Sequence, residues 1–235
     1  PESTEWLASW NALDRAAAVQ LARTLDSFES LTDPHVYHQI PRQLQGYGLM
    51  VSNSFPVRDM GLFGQIDGGG RSLLFVNRGA AGIDGILSTA AGLARASAKK
   101  WACFIGDLAF LHDSNALMTL RNLQLPMIVF VVNNGGGTIF RMLPVAKQTD
   151  LYETYFETPQ QVSIEQLAKA HGLTYERIET RKKLEAWRAP ELLDAPLIVE
   201  CVTSADESMN VRDAVKRLEL HLEKGSGNPT KTTLS

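Results

Sequence analysis

Asp107 and Asn134 are residues whose types and spacing suggest chemistry. Asp107 follows the apolar run "WACFIG" and precedes "LAFLHD", whereas Asn134 closes "PMIVFVVNN", 27 residues further on (134 − 107). A strand–helix–strand unit of that length returns the chain to the same edge of a parallel sheet, which sets the carboxylate beside the amide. A carboxylate, an amide oxygen and nearby backbone carbonyls are hard oxygen donors, suited to Mg²⁺ or Ca²⁺. Mg²⁺ usually keeps positions open for phosphate oxygens, and helix N-termini with glycine-rich turns supply N–H donors to those oxygens. The run "NNGGG" (133–137) is costly to order at the end of a core strand, since glycine loses the most backbone freedom on folding. Read separately, Asp107 is an N-cap and "NNGGG" an ordinary turn; read together, they are a metal–phosphate site. Asn133 is expected to fix the turn by hydrogen bonds rather than to touch the metal.

These residues need a scaffold, and the rest of the sequence describes one. Short apolar runs alternate with helical segments: strands in "GYGLMVSNS", "RSLLFVNRG", "KKWACFIGD", "PMIVFVVNN", "LTYERI" and "APLIVECVT". Helices are expected in "GIDGILSTAAGLARAS", "LAFLHDSNALMTLRNLQL", "SIEQLAKAHG", "KLEAWRA" and "SMNVRDAVKRLELHLEK". Such alternation, with near-continuous apolar strands, predicts an α/β fold with a doubly wound, mainly parallel sheet and helices on both faces. Ligands of such sheets bind at the carboxyl ends of the strands. The polar strand ends "SNSFPVR", "NRGAAGIDG", "GDLAFLHD" and "NNGGGTIF" should therefore meet in one crevice. Residues 1–33 read as a helical linker or the end of a preceding central domain, 34–224 as the ligand-binding domain, and 225–235 as a mobile tail. The opening "PESTEW" lacks an initiator Met and suggests a fragment or a processed chain.

The bulk properties narrow the function. The 235 residues carry 23 basic and 26 acidic side chains, a formal charge of −3, and the basic ones are scattered, which argues against a nucleic-acid surface. Cys103 and Cys201 sit in apolar runs with no His or Cys at ligand spacing, as buried free thiols of a reducing compartment do. No run approaches the ~20 apolar residues that cross a bilayer, so the expected location is the cytoplasm. His112 reads as a capping or packing residue, and His35, His38, His171 and His221 show no ligand spacing. "GGGR" (68–71) is not set between a clear strand and helix.

"GD", a gap of this length and then "NN" resemble the diphosphate-binding motif of thiamine diphosphate enzymes, which usually begins G-D-G and here has Leu108 at the third position. "SNSFPVRD", "NRGAAGIDGILSTAAG", "GDLAFLHDSNAL" and "VVNNGGGTIFRMLP" together resemble one branch, the 2-succinyl-5-enolpyruvyl-6-hydroxy-3-cyclohexene-1-carboxylate synthases of menaquinone and phylloquinone biosynthesis, over roughly residues 45–220. The resemblance implies a thiamine diphosphate-binding fold. It also implies Mg²⁺ (or Mn²⁺) held by Asp107, Asn134 and the Gly136 carbonyl, with Gly106, Leu108, Gly137, Thr138 and Ile139 around the cofactor. Ile83 matches the apolar residue that keeps thiamine bent. Ser54, Arg58 and Arg78 would position substrate carboxylates, beside an apolar wall of Phe140 and Leu143. The implied substrates are 2-oxoglutarate and isochorismate. Nothing here resembles the family's pyrimidine-binding domain with its glutamate, so that domain must come from a longer chain or a partner subunit, in a homo-oligomer. A plastid location follows if the source is a photosynthetic eukaryote. Two alternatives stand beside this one: a different thiamine-dependent 2-oxoacid decarboxylase or acetolactate-synthase-like subunit, and a non-catalytic cofactor-binding remnant.

Overall fold

The computed structural model describes residues 4–65, 73–77, 79, 81–97, 99–122, 126–221 and 231–233. Six strands form one sheet: β1 (Gly48–Val51), β2 (Leu74–Val76), β3 (Trp101–Gly106), β4 (Met127–Asn133), β5 (Thr174–Ile178) and β6 (Leu197–Val202). Their order is β2-β1-β3-β4-β6-β5, and every pairing is parallel. The central strands are apolar at nearly every position because both faces are covered. Alternate residues enter opposite cores: Phe104, Phe130 and Val199 one, Cys103, Val129 and Ile198 the other. Both cysteines are buried and free.

The first core lies under α2 (Asp33–Gln39), α3 (Phe55–Phe63), α9 (Arg181–Ala186) and α10 (Ala205–Lys216), and includes a stacked pair, Phe104 and Phe130, with ring centroids 5.0 Å apart. The second lies under α4 (Ile86–Ser97), α5 (Asp107–His112), α6 (Leu117–Asn122) and α8 (Ile164–Ala170). The remaining helices are α1 (Thr4–Asp26) and the single turn α7 (Thr149–Tyr152), which runs into a π-turn at Glu153–Glu157. Leu25 and Leu31 join the first core, whereas Trp6, Leu7 and Trp10 of α1 are exposed. Ser163 caps α8 by accepting the Gln166 N–H at 3.2 Å, as its sequence predicts.

Three expectations change. The helix expected across 108–125 breaks at Asp113, whose carboxylate turns away to accept the N–H groups of Gly85 (3.1 Å) and Leu87 (2.6 Å) at the start of α4. The last helix starts earlier, at Ala205 behind the Ser204 cap, and ends at Lys216. Glu219–His221 (β7) then pairs antiparallel with Lys231–Thr233 (β8). Within the expected tail, Lys231–Thr233 is thus a strand, and the other tail residues lie outside the described ones. Among the described residues no helix is long and apolar enough to cross a membrane.

β1 and β3 are neighbours whose onward connections leave in opposite directions, α3 leading out to β2 and α5–α6 leading on to β4. A sheet of this kind opens a crevice at such a switch point.

Candidate functional site

A cleft of about 390 Å³ opens at the carboxyl ends of β1, β3 and β4. Its wall brings together Ser54, Arg58, Ile83, Gly106, Asp107, Leu108, Asn134, Gly136, Gly137, Thr138, Ile139 and Phe140. Leu143 is 50% exposed and stands outside the wall. Arg78 and the "GGGR" run lie outside the described residues.

Asp107 leaves β3 and starts α5 with its side chain buried. One carboxylate oxygen accepts the Leu108 N–H at 2.8 Å and the other the Gly135 N–H at 3.1 Å, across to the turn after β4. Burial pushes its pKa up to about 6; the N–H groups of Leu108, Gly136 and Gly135 oppose the rise and the Asp33 carboxylate adds to it. A cation here would relieve that cost.

The turn after β4 owes its glycines to two causes. Gly135 and Gly136 have φ of +87° and +136°. In addition, a Cβ on Gly136 would collide with the Glu157 carbonyl oxygen, and one on Gly137 with that of Phe156. The π-turn at Glu153–Glu157 packs directly on the glycines, and the Gly137 N–H donates to the Glu157 carbonyl at 2.6 Å. The glycines therefore serve a close backbone contact within the protein, besides any approach to a phosphate. The Gly136 carbonyl accepts the Thr138 N–H at 2.9 Å and retains a second lone pair.

The two asparagines are held separately. Asn133 accepts the Gly135 N–H at 3.2 Å and donates its amide to buried Glu200 at 2.7 Å, so it fixes the turn. Tyr175 donates to the other oxygen of Glu200. Asn134 donates its amide to Asp33 on α2 at 2.9 Å.

Across the cleft, Ser54 stands at the N-cap position of α3 without a side-chain cap hydrogen bond, at φ +72° and ψ −137°, a strained conformation for a residue with a Cβ. Arg58, exposed one turn later, donates to the Ser54 carbonyl at 2.8 Å. Asn53 donates to the Gly82 carbonyl at 2.7 Å and Asp113 holds the other end of the 82–87 segment, so Ile83 sits on a loop fixed from both sides. Ile83 itself is 39% exposed.

The donor set can be tested against a metal-bound diphosphate. Asn53 Oδ1, Thr138 Oγ1 and the Tyr37 hydroxyl are buried without a hydrogen-bond partner, and all three residues line the cleft. Orphaned polar groups of this kind are expensive unless a ligand meets them. Among the described residues, no three His, Cys, Asp or Glu cluster as a metal site. One carboxylate, one amide oxygen and a backbone carbonyl remain as donors, a set that fits a hard cation sharing its shell with phosphate oxygens. The residues fit the group.

Sequence reasoning passed over Asp33, Asn53, Asp113, Glu157 and Arg212, which support the site from elsewhere in the chain. None of the five carried a local signal, because each acts through a residue far along the chain.

Residues 69–200 match the family model described as the thiamine pyrophosphate enzyme, C-terminal TPP binding domain. The chain is 49% identical over 138 residues to a 2-succinyl-5-enolpyruvyl-6-hydroxy-3-cyclohexene-1-carboxylate synthase of Chlorobium limicola, covering 59% of this chain and 24% of that one. It is 37% identical over 206 residues to the synthase of Rubrobacter xylanophilus (87% and 35%), and 35% over 227 residues to the chloroplastic protein PHYLLO of Arabidopsis thaliana (88% and 13%). The chain thus spans about a third or less of these relatives' length. With a parallel sheet, a strand-end cleft and a matched model over more than half its length, this chain belongs to the thiamine pyrophosphate enzymes, whose C-terminal TPP-binding domain it carries.

Proposed function

We propose that the chain is the diphosphate-binding part of a synthase that decarboxylates 2-oxoglutarate and adds the succinyl unit to isochorismate, in menaquinone or phylloquinone biosynthesis. The observation that carries this reading is the convergence of Asp107, Asn134 and the glycine turn on one cleft, facing Ser54 and Arg58. The relatives that bear the synthase's name support the choice of reaction. When bound, thiamine diphosphate supplies the nucleophilic carbon that 2-oxoacid chemistry needs. Asp107, Asn134 and the Gly136 carbonyl would hold Mg²⁺, and the Thr138 hydroxyl, buried in the cleft without a partner of its own, would meet the diphosphate. Ile83 and Ile139 pack against the cofactor's rings, with Phe140 as an apolar wall; Leu143 would join that wall only by moving inward. Arg58 and Arg78 pair with substrate carboxylates, and Ser54 adds a hydrogen bond. The chain's share is positional and electrostatic.

In this reading the pyrimidine-binding domain, with its glutamate, belongs to a longer chain or a partner subunit, the assembly is a homo-oligomer, and the compartment is the cytoplasm or a plastid. Calorimetry with thiamine diphosphate and Mg²⁺, with and without a pyrimidine-binding partner domain, tests it. Metal-dependent binding in at least one condition is expected. Binding in neither would leave a remnant that keeps only the fold, and unaided consumption of 2-oxoglutarate by the purified chain would refute the division of labour.

A further inference from the structure

A buried ionic cluster adjoins the cleft, whose wall it reaches at Asp33. Asp33 at the start of α2, Asp59 on α3 and Arg212 on α10 are 1%, 2% and 4% exposed. Arg212 grips both oxygens of Asp59, donates to Asp33 Oδ2 at 2.9 Å, and has its Cζ over the Phe55 ring, 3.6 Å from the centroid. Asp33 is fixed further by Thr203, whose hydroxyl donates to Oδ1 at 2.6 Å, and by its own N–H, which donates to Ser208 at 2.9 Å. A buried cluster of this kind rarely adds net stability over apolar packing, so its cost calls for another reason.

Asn134 supplies that reason. Its amide nitrogen donates to the same Asp33 oxygen that Arg212 holds. A carboxylate gripped by a guanidinium only accepts hydrogen bonds, so only the NH₂ end of an amide can meet it. That settles which way Asn134 points and leaves its carbonyl oxygen as the end available to a cation. An amide without such a partner can turn either way, and half of its orientations would present N–H groups to the metal.

We infer that Asp33 is a positioning residue for the metal site: the Arg212–Asp33 pair fixes the amide of Asn134 so that its oxygen, not its nitrogen, meets the divalent cation. This rests on the reading of Asn134 as a metal ligand. Partners behind metal ligands typically affect affinity by about 10- to 100-fold.

The test titrates Mn²⁺ into the full chain with thiamine diphosphate, in whichever calorimetric condition the wild type takes up the cofactor, and reads free Mn²⁺ by electron paramagnetic resonance. Asp33→Asn should weaken Mn²⁺ binding at least about tenfold. It should add nothing once Asn134→Ala is present, because the two act through one contact. A Kd within twofold of wild type, or losses that multiply in the double variant, would overturn the assignment, since a general structural defect is indifferent to Asn134. Should Asp33→Asn fail to fold, Thr203→Val decides the matter: it frees one Asp33 oxygen and should cost about threefold, as one modest hydrogen bond does, whereas an unchanged Kd counts against the inference. If Asn134→Ala binds Mn²⁺ as well as wild type, or the wild type binds none in either condition, the ligand reading falls and this inference falls with it. If Asn134→Ala loses the metal and Asp33→Asn keeps it, only the role of Asp33 is lost.

Discussion

On one wall of the cleft Asp107, Asn134 and the glycine turn are tied to α2, β5, β6 and a π-turn. On the other wall Arg58 is exposed and bonds the carbonyl of Ser54, and Ile83 is 39% exposed. The first wall has its bonding partners within this chain. The second shows the cationic and apolar groups of a site but not the surfaces that would desolvate them. That contrast suits the proposed cofactor site shared between domains, in which this half would grip the highly charged end of the ligand and the other half would enclose the reacting end.

The contrast can be broken most sharply at Asp107. Asp107→Ala should lower Mg²⁺-dependent affinity for thiamine diphosphate by at least about 100-fold, since it removes the one charged ligand proposed for the metal; calorimetry that shows less than tenfold would move the metal elsewhere. Next is Gly136→Ala, which adds a side chain at φ +136° against the Glu157 carbonyl. We expect a loss of about 2–3 kcal/mol, seen as a fall in Tm of roughly 5–10 °C without ligand. An unchanged Tm would show that the π-turn yields easily. Arg58→Ala tests the open wall, and Arg78→Ala tests the same proposed carboxylate role from outside the described residues: in the assembled enzyme of the proposed function each should raise KM for 2-oxoglutarate about tenfold, the strength of one partly exposed charge-assisted pair. Cofactor affinity should stay within about twofold, and equal losses in both would join the two walls into one unit.

The smallest effect concerns pH. His35 is buried, accepts the Thr32 N–H (3.2 Å) on Nδ1 and bonds the Leu25 carbonyl (2.9 Å) through Nε2, so it is the neutral Nε2–H tautomer. Burial lowers its pKa. A histidine with a depressed folded pKa contributes stability that is present above its unfolded value of 6.5 and lost as pH falls through the folded one. Between pH 7 and 5 the wild type should lose Tm that His35→Gln does not. Because His35 sits two residues from Asp33, the well-held wall is the one that acid should loosen.

Most of the scaffold was legible because periodicity is a local property. The apolar runs became the six strands, and "SIEQLAKAHG" became α8 with its Ser163 cap. The paired polar strand ends pointed to one edge, and Asp107 and Asn134 do line one cleft. What stayed hidden depends on contacts between distant residues. Asp33 meets Asn134 across 101 positions and Arg212 across 179, and nothing in "LTDPHV" or "NVRDAV" sets those charges apart from a solvated helix end. The break at Asp113 was missed for the same reason, since its carboxylate satisfies N–H groups 26 and 28 positions earlier.

The Asp33–Arg212 link also dictates an order of events. Arg212 and Ser208 lie on α10, beyond every ligand proposed for the metal. During synthesis the chain emerges N-terminus first, and contacts this far apart close late. A nascent chain that has produced Asp107, Asn134 and the glycine turn therefore owns the ligands but not the brace that aims them. On the proposed reading, cofactor capture should strengthen once α10 has left the ribosome.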